Sequence, residues 1–207
     1  MESLSASLFP AICRGCGVRG EYCCPECARG LPWARPAPPP AGVDEWWAVF
    51  AYESVARELI VAAKYRSLRA ATSWFASQID TRVPRGLRAV VTWAPTTRRR
   101  RRERGFDHAE AIARSFARRR SLAFEDMLER VDVVAQTGRS ASERRTAPPV
   151  FAVTASPRAP VMLVDDVATT GATIAAAAAA LRRAGAPAVY AVTVARADTS
   201  RTRTRRI

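Results

Sequence analysis

The residues best suited to chemistry lie in one segment, VMLVDDVATTGATI, at positions 161–174. Four apolar residues predict a buried strand, Asp165 and Asp166 end it side by side, and small or hydroxyl-bearing residues follow. The sequence predicts that this loop leads into the N-terminus of a helix, where free backbone amides and the helix dipole favour an anion. Because the loop has few large side chains, a phosphate could approach its backbone.

The two carboxylates would repel that phosphate, so we expect them to bind a hydroxylated or cationic part of the same ligand. A ribose 5-phosphate meets both requirements, with its phosphate in the loop and its 2- and 3-hydroxyls on the acids. An ordinary strand-end cap followed by a turn is the structural alternative. The predicted ligand-binding residues of this segment are Asp165, Asp166, Ala168, Thr169, Thr170, Gly171, Ala172 and Thr173.

A second group of reactive side chains is a cysteine cluster near the start of the sequence. Two Cys-x-x-Cys pairs can place four thiolates tetrahedrally around Zn²⁺, and four thiolates leave no open position, so the expected role of the metal is structural. A disulfide pair is the alternative. Cys23 could replace Cys24 as a ligand, although the symmetric spacing favours Cys24. The predicted zinc ligands are Cys13, Cys16, Cys24 and Cys27.

The proline-rich stretch PWARPAPPPA, from position 32, favours extended structure and suggests a domain boundary. Strand-like and helix-like patterns alternate after it, which predicts an α/β fold with a parallel sheet, helices on both faces and ligands at the carboxyl ends of the strands. The sequence thus predicts a zinc ribbon over 1–31, a linker over 32–44, an α/β domain over 45–197 and a disordered basic tail over 198–207.

The chain is strongly basic, with 33 Lys and Arg residues against 19 Asp and Glu, a formal charge of +14 and a pI near 11.1. Such a charge favours polyanionic partners, including nucleic acid. The abundance of arginine and alanine also fits a coding bias, which weakens that argument. The sequence shows no signal-peptide pattern and no apolar run long enough for a membrane span, so we expect a cytoplasmic protein.

Several motifs together resemble a known family. VMLVDDVATTGAT resembles the phosphoribosyl pyrophosphate motif of type I phosphoribosyltransferases. The double Cys-x-x-Cys, AYESVARELIVAAKYRS, APTTRRRRRERGFDHAEAIA and QTGRSASERRTAPPVFAV occur in the order found in the ComF family of late-competence proteins, which are linked to DNA uptake. This chain has Asp107 and His108 where the family usually shows Asn-Gln, and Thr146 where an Asn is expected.

The resemblance implies a type I phosphoribosyltransferase-like domain that binds phosphoribosyl pyrophosphate with Mg²⁺, with displacement of pyrophosphate from the ribose C1. It implies that Asp165 and Asp166 hold the ribose hydroxyls and stabilise the developing cation, while Arg98 and Arg104 face the pyrophosphate. It further implies a mobile loop that closes over the ligand and carries Arg139, Arg144 and Arg145.

Two classes of function follow. The first is phosphoribosyl transfer to an acceptor base that the sequence does not identify. The second is a nucleotide-sensing or single-stranded DNA-binding adaptor that uses the zinc ribbon and the basic surface among DNA-uptake proteins. RRRRRERG at 98–105 is either a phosphate-binding loop or a solvated basic face, and we expect the single histidine, His108, at a helix cap or on the surface.

Overall fold

The computed structural model describes residues 11–63, 68–131 and 149–198. Its strands are β1 (Ala11–Ile12), β2 (Arg19–Gly20), β3 (Glu45–Ala51), β4 (Val90–Trp93), β5 (Leu128–Val131), β6 (Val150–Val153), β7 (Val161–Ala168) and β8 (Val189–Arg196). Its helices are α1 (Pro25–Arg29), α2 (Ser54–Ala63), α3 (Leu68–Asp80), α4 (Arg98–Arg104), α5 (His108–Arg120) and α6 (Ala172–Arg183).

The centre of the molecule is a four-stranded sheet in the order β3-β8-β7-β4, and every neighbouring pair is parallel. Strand β7 lies between β8 and β4, with Val161 paired to both Val90 and Val189. Its first five residues are buried, as expected for a strand covered on both faces. The prediction of a parallel α/β sheet is confirmed.

Helices cover both faces of this sheet. One hydrophobic cluster packs α2, α3 and α5 against the sheet, and a second packs α6 and the antiparallel pair β5-β6 on the other face. The inner face of α5 is formed by residues at helical spacing that are all buried, namely Ala109, Ile112, Ala113, Phe116 and Ala117.

The basic stretch after β4 forms the short helix α4, whereas the sequence predicted a loop. Thr97 caps its N-terminus by accepting a hydrogen bond from the Arg100 amide at 3.3 Å, and Gly105 ends it with φ of 77°. Arg99 and Glu103 form a pair one turn apart at 3.4 Å. Capping and pairing therefore give helical structure to a segment whose composition alone indicated only charge.

The cysteine-rich segment packs directly on the α/β body. The Tyr22 ring lies against Trp74 and Phe75 of α3, and its hydroxyl donates to the Leu59 carbonyl at 2.5 Å. Tyr22, Cys23 and Leu31 belong to the same hydrophobic cluster as the sheet. The division of the chain into separate domains stays a prediction.

The proline-rich segment begins as a partner of the outer edge of β3. The amide of Ala34 donates to the carbonyl of Val49, and the amide of Ala51 donates to that of Pro32. Trp33 forms an antiparallel bridge with Phe50 and stacks on its ring at 5.3 Å. This part of the predicted linker is therefore held against the sheet.

Several predictions concern residues outside the described ranges. They are the closing loop with Arg139, Arg144, Arg145 and Thr146, and the tail beyond Asp198. Within the described ranges, no helix combines the length and the apolar character needed to cross a membrane.

Candidate functional site

A cavity of about 130 Å³ opens at the carboxyl ends of β7 and β4; we call it the Asp-pair cavity. Its walls come from the turn after β4, from α4, from the start of α5, from β5 and from the end of β7. The lining residues are Ala94, Pro95, Thr96, Arg100, Arg104, Asp107, His108, Ala109, Arg130, Asp165, Asp166, Val167 and Thr173. Parallel α/β folds bind their ligands at this edge.

Asp165 and Asp166 lie at the base of this cavity, but their environments differ. The Asp165 side chain is buried and accepts a hydrogen bond from the Asp166 amide at 2.8 Å. Burial and the adjacent Asp166 charge raise the pKa of the Asp165 carboxyl well above its ordinary value. Asp166 is partly accessible and accepts from the Val167 amide at 2.7 Å. A buried acid is thus paired with an accessible one.

His108 contacts the accessible member of this pair. Its Nδ1 lies 3.4 Å from Asp166 Oδ2, its side chain is 2% exposed, and its ring packs edge-on against Phe75 at 5.9 Å. The expectation of a helix cap or surface position was wrong, because the preceding residue performs the capping and the imidazole turns inward onto β7. His108 is therefore placed to orient the Asp166 carboxylate.

Asp107 caps α5 and ties it to the turn after β4. One carboxylate oxygen accepts from the amides of Ala109 and Glu110 at 3.1 and 3.4 Å, and the other accepts from the Thr96 amide at 2.8 Å. Burial raises the pKa of Asp107, and the Asp166 charge acts in the same direction. This residue fixes the position of the cavity wall that carries His108.

The loop between β7 and α6 spans only 169–171 and ends at a glycine. Gly171 precedes α6 with φ of 77°, and a Cβ at this position would lie 3.1 Å from Pro40 Cγ. The Thr170 hydroxyl accepts from the Ala172 amide at 3.3 Å. Thr173, in the first turn of α6, lines the cavity. The helix N-terminus and the acid pair therefore meet at one edge of the sheet.

The other ligand-binding positions predicted in this loop are placed as follows. Ala168 is buried at the end of β7, whereas Thr169 and Thr170 are exposed in the loop and Ala172 is exposed at the start of α6. Their proposed roles stay predictions.

Guanidinium groups also line the Asp-pair cavity. Arg104 lines it, together with Arg100 of α4 and Arg130 of β5. Arg98 is not among the lining residues and pairs with Glu129. The roles of Arg98 and Arg104 in ligand binding stay predictions. The Asp-pair cavity thus combines two carboxyl groups with three guanidinium groups.

The structure gathers the four predicted zinc ligands into one cluster. The Sγ atoms of Cys13, Cys16, Cys24 and Cys27 all lie within 4.8 Å of one another, and those of Cys16 and Cys24 are 3.7 Å apart. A Cβ at Gly15 would lie only 2.6 Å from Cys27 Sγ, so the glycine permits this close approach. The cluster could hold one zinc ion.

The environment of Cys13 favours the thiolate form that a metal binds, whereas hydrogen bonds with the neighbouring cysteines raise the pKa of Cys27. Burial by itself would raise the pKa of Cys13, but hydrogen bonds from backbone amides, with that of Cys24 at 3.3 Å, lower it to about 6. Cys23 differs, because burial raises the pKa of its thiol to about 12 and its side chain lies in the hydrophobic cluster. The spacing argument for Cys24 over Cys23 agrees with this arrangement.

Sequence reasoning did not assign Asp107, His108, Arg100 or Arg130 to the site. A signal was present for the first two, because both stand at the start of an amphipathic helix pattern. Arg130 lies far from the motif along the chain and reaches the cavity only through the β5-β6 pairing, which no local pattern shows.

Comparisons with known proteins leave the family open. No protein-family model matches the chain, and no curated protein matches it. One solved structure with similarity is that of the allosteric regulatory enzyme of purine biosynthesis, with a TM-score of 0.44 and 16% identity. The alignment covers 65% of this chain but only 30% of that enzyme's chain. The α/β architecture accordingly stands on the strand order and pairing.

Proposed function

We propose that the Asp-pair cavity binds phosphoribosyl pyrophosphate with Mg²⁺, or a related ribosyl phosphate. The observation that carries this proposal is the meeting of Asp165 and Asp166 with the guanidinium groups of Arg100, Arg104 and Arg130 in one cavity. A ribosyl pyrophosphate carries ring hydroxyls and dense negative charge in the same molecule. The carboxyl groups of the cavity would accept from the hydroxyls, and the guanidinium groups would pair with the phosphates.

The acid pair would bind the ribose. Asp166 is the accessible acceptor for a ribose hydroxyl, and His108, 3.4 Å away, would hold its carboxylate in place. The 5-phosphate would lie at the N-terminus of α6, beside Thr173 and the backbone that Gly171 shapes. This arrangement would fix the ribose at both ends and so reduce the entropic cost of reaction.

We propose phosphoribosyl transfer as the reaction. An acceptor nitrogen would form a bond to the ribose C1 while the C1–O bond to pyrophosphate breaks, and the electron pair would leave with the pyrophosphate. Asp165 and Asp166 would stabilise positive charge on the ribose ring, and Arg100 and Arg104 would stabilise the leaving group. Mg²⁺, entering with the substrate, would neutralise part of the pyrophosphate charge.

The order of sequence motifs supports membership of the ComF family and a cytoplasmic role in competence and DNA uptake. In that proposal, the cysteine cluster is a zinc ribbon, the α/β body is the phosphoribosyltransferase-type domain, and the tail is a basic extension. These assignments rest on the motifs and on the cysteine geometry.

A single-stranded DNA-binding adaptor is the second candidate. Helix α4 favours it, because this helix carries six arginines and one glutamate and has no buried residue. Such a surface would bind a phosphate backbone with an affinity that falls as salt rises.

Pyrophosphate release separates these candidates. The zinc-loaded protein, phosphoribosyl pyrophosphate and Mg²⁺ would be incubated with a panel of purine and pyrimidine bases, and base-dependent release is the expected result. The Asp165→Asn, Asp166→Asn double variant should lose it. The control is the double variant Glu125→Gln/Asp126→Asn, which replaces two adjacent exposed acids and so removes the same number of carboxyl groups. Substrate binding without release for any base would exclude transfer to that panel and favour a binding role.

A further inference from the structure

A second cavity, of about 180 Å³, lies where the proline-rich segment leaves the edge of β3; we call it the Trp-Arg cavity. It shares no lining residue with the Asp-pair cavity. Its wall is formed by the segment 34–37, by 46–48 of β3 and by the side chains of Arg82 and Arg196.

The charge of the Trp-Arg cavity is entirely positive. Arg35, Arg82 and Arg196 line it, and no acidic residue does. Within the described part of the chain, none of the three arginines belongs to an ion pair with a carboxylate. Three guanidinium groups brought together without counter-charge favour an anionic ligand.

Aromatic surface and free donors accompany that charge. Trp46 and Trp47 line the cavity, and the Arg196 guanidinium lies 5.5 Å from the centre of the Trp46 ring. Three buried nitrogens have no hydrogen-bond partner in the structure, namely Trp46 Nε1, Arg82 Nε and Arg196 Nε. Buried donors are normally satisfied, so three unpartnered donors on residues of one cavity mark an incomplete polar environment there.

Two of the three arginines are also held in position. Arg196 Nη2 donates to the Arg35 carbonyl at 2.8 Å, and the Arg82 guanidinium lies 4.4 Å from the centre of the Trp33 ring. Contacts of this kind limit the freedom of the long side chains, which lowers the entropic cost of binding.

We propose that the Trp-Arg cavity binds a nucleoside monophosphate, with its base against one of the two indole rings and its phosphate on the arginines. Bases stack on aromatic side chains and phosphates match guanidinium geometry. A bare phosphate would leave the indoles unused, and a neutral aromatic would leave the charge unused. This inference is independent of the function proposed for the Asp-pair cavity.

The probe is thymidine 3′-monophosphate, titrated calorimetrically into the zinc-loaded full chain. It has neither a 5-phosphate nor a ribose 2-hydroxyl, so it lacks groups that the Asp-pair cavity is proposed to hold. We expect saturable binding, weakened about tenfold or more by Arg196→Gln, the loss expected for a charge-assisted hydrogen bond. Arg35→Gln, an exposed position, should weaken binding even if the first variant folds poorly. The exposed Arg57→Gln on α2 is the matched control.

Thymidine and inorganic phosphate alone should each bind more weakly than the nucleotide. Absence of nucleotide binding at millimolar concentrations would overturn the proposal, as would affinity that is unchanged in both arginine variants. Equal affinity for inorganic phosphate would reveal a simple anion site and exclude the base contact. Loss of binding in Asp165→Asn, with the arginine variants unaffected, would place the nucleotide in the Asp-pair cavity and would also overturn it.

Discussion

Replacing Asp165 by asparagine is expected to stabilise the ligand-free protein while it damages the site. Asp165 is buried, and burial together with the Asp166 charge raises the pKa of its carboxyl. The folded protein therefore keeps a proton that the unfolded chain releases as the pH rises through the ordinary range for Asp. Its contribution to stability is full below that range and is lost as the pH rises through the raised folded-state pKa.

The Asp165→Asn variant escapes this loss. The amide oxygen can still accept from the Asp166 amide, as the carboxylate does at 2.8 Å, and the like-charge repulsion disappears. A buried polar group without full compensation costs about 1–3 kcal/mol, and more when it is charged. For a chain of this length, each kcal/mol changes the melting temperature by about 2–4 °C. We expect a rise of at least about 2 °C at pH 8.

Thermal unfolding would be followed by circular dichroism from pH 4 to 8, without chelator and without divalent cation beyond the bound zinc. The advantage of the variant over the wild type should be smallest at pH 4 and should grow as the pH rises. The exposed Asp126→Asn serves as control and should show no such growth. A variant less stable than the wild type at pH 8, or a difference independent of pH, would refute this account of the acid pair.

Three other perturbations test the supports of the site. Tyr22→Phe removes the hydrogen bond to Leu59, so the melting temperature should fall by about 1–6 °C. An unchanged melting temperature would show that this bond does not hold the cysteine segment on α2. Gly171→Ala places a Cβ on a residue with φ of 77°, 3.1 Å from Pro40 Cγ. We expect the free energy of unfolding, measured in urea, to fall by about 1–2 kcal/mol. Equal stability would contradict a strained position. Zinc removal should raise amide hydrogen exchange across 11–31 and lower the melting temperature of the rest, because Tyr22 and Leu31 pack in the main cluster. Unchanged exchange would argue against a structural metal.

The sequence predicted the features that depend on residues close together in the chain. The apolar run before Asp165 had to be a buried strand, and the two Cys-x-x-Cys pairs already implied a cluster of four thiols. The helical state of RRRRRER escaped prediction because it depends on a cap at Thr97 and a turn at Gly105 rather than on hydrophobic periodicity.

Contacts between distant parts of the chain could not be predicted. His108 meets Asp166 across 58 residues because α5 packs on β7, and Arg196 reaches Trp46 only through the pairing of β8 with β3. Such contacts depend on the tertiary arrangement of elements, and a single sequence carries no periodic signal for them. Both cavities include residues of this kind.

The central claim is that the acid pair and the guanidinium wall form one ribosyl phosphate site. Calorimetric titration of phosphoribosyl pyrophosphate with Mg²⁺ tests it most directly. Three folded, zinc-loaded proteins would be compared: the wild type, the double variant Asp165→Asn/Asp166→Asn and the control double variant Glu125→Gln/Asp126→Asn. The account predicts saturable binding by the wild type and the control, and at least a tenfold loss in the double variant. No binding by the wild type, or equal binding by all three proteins, would contradict it.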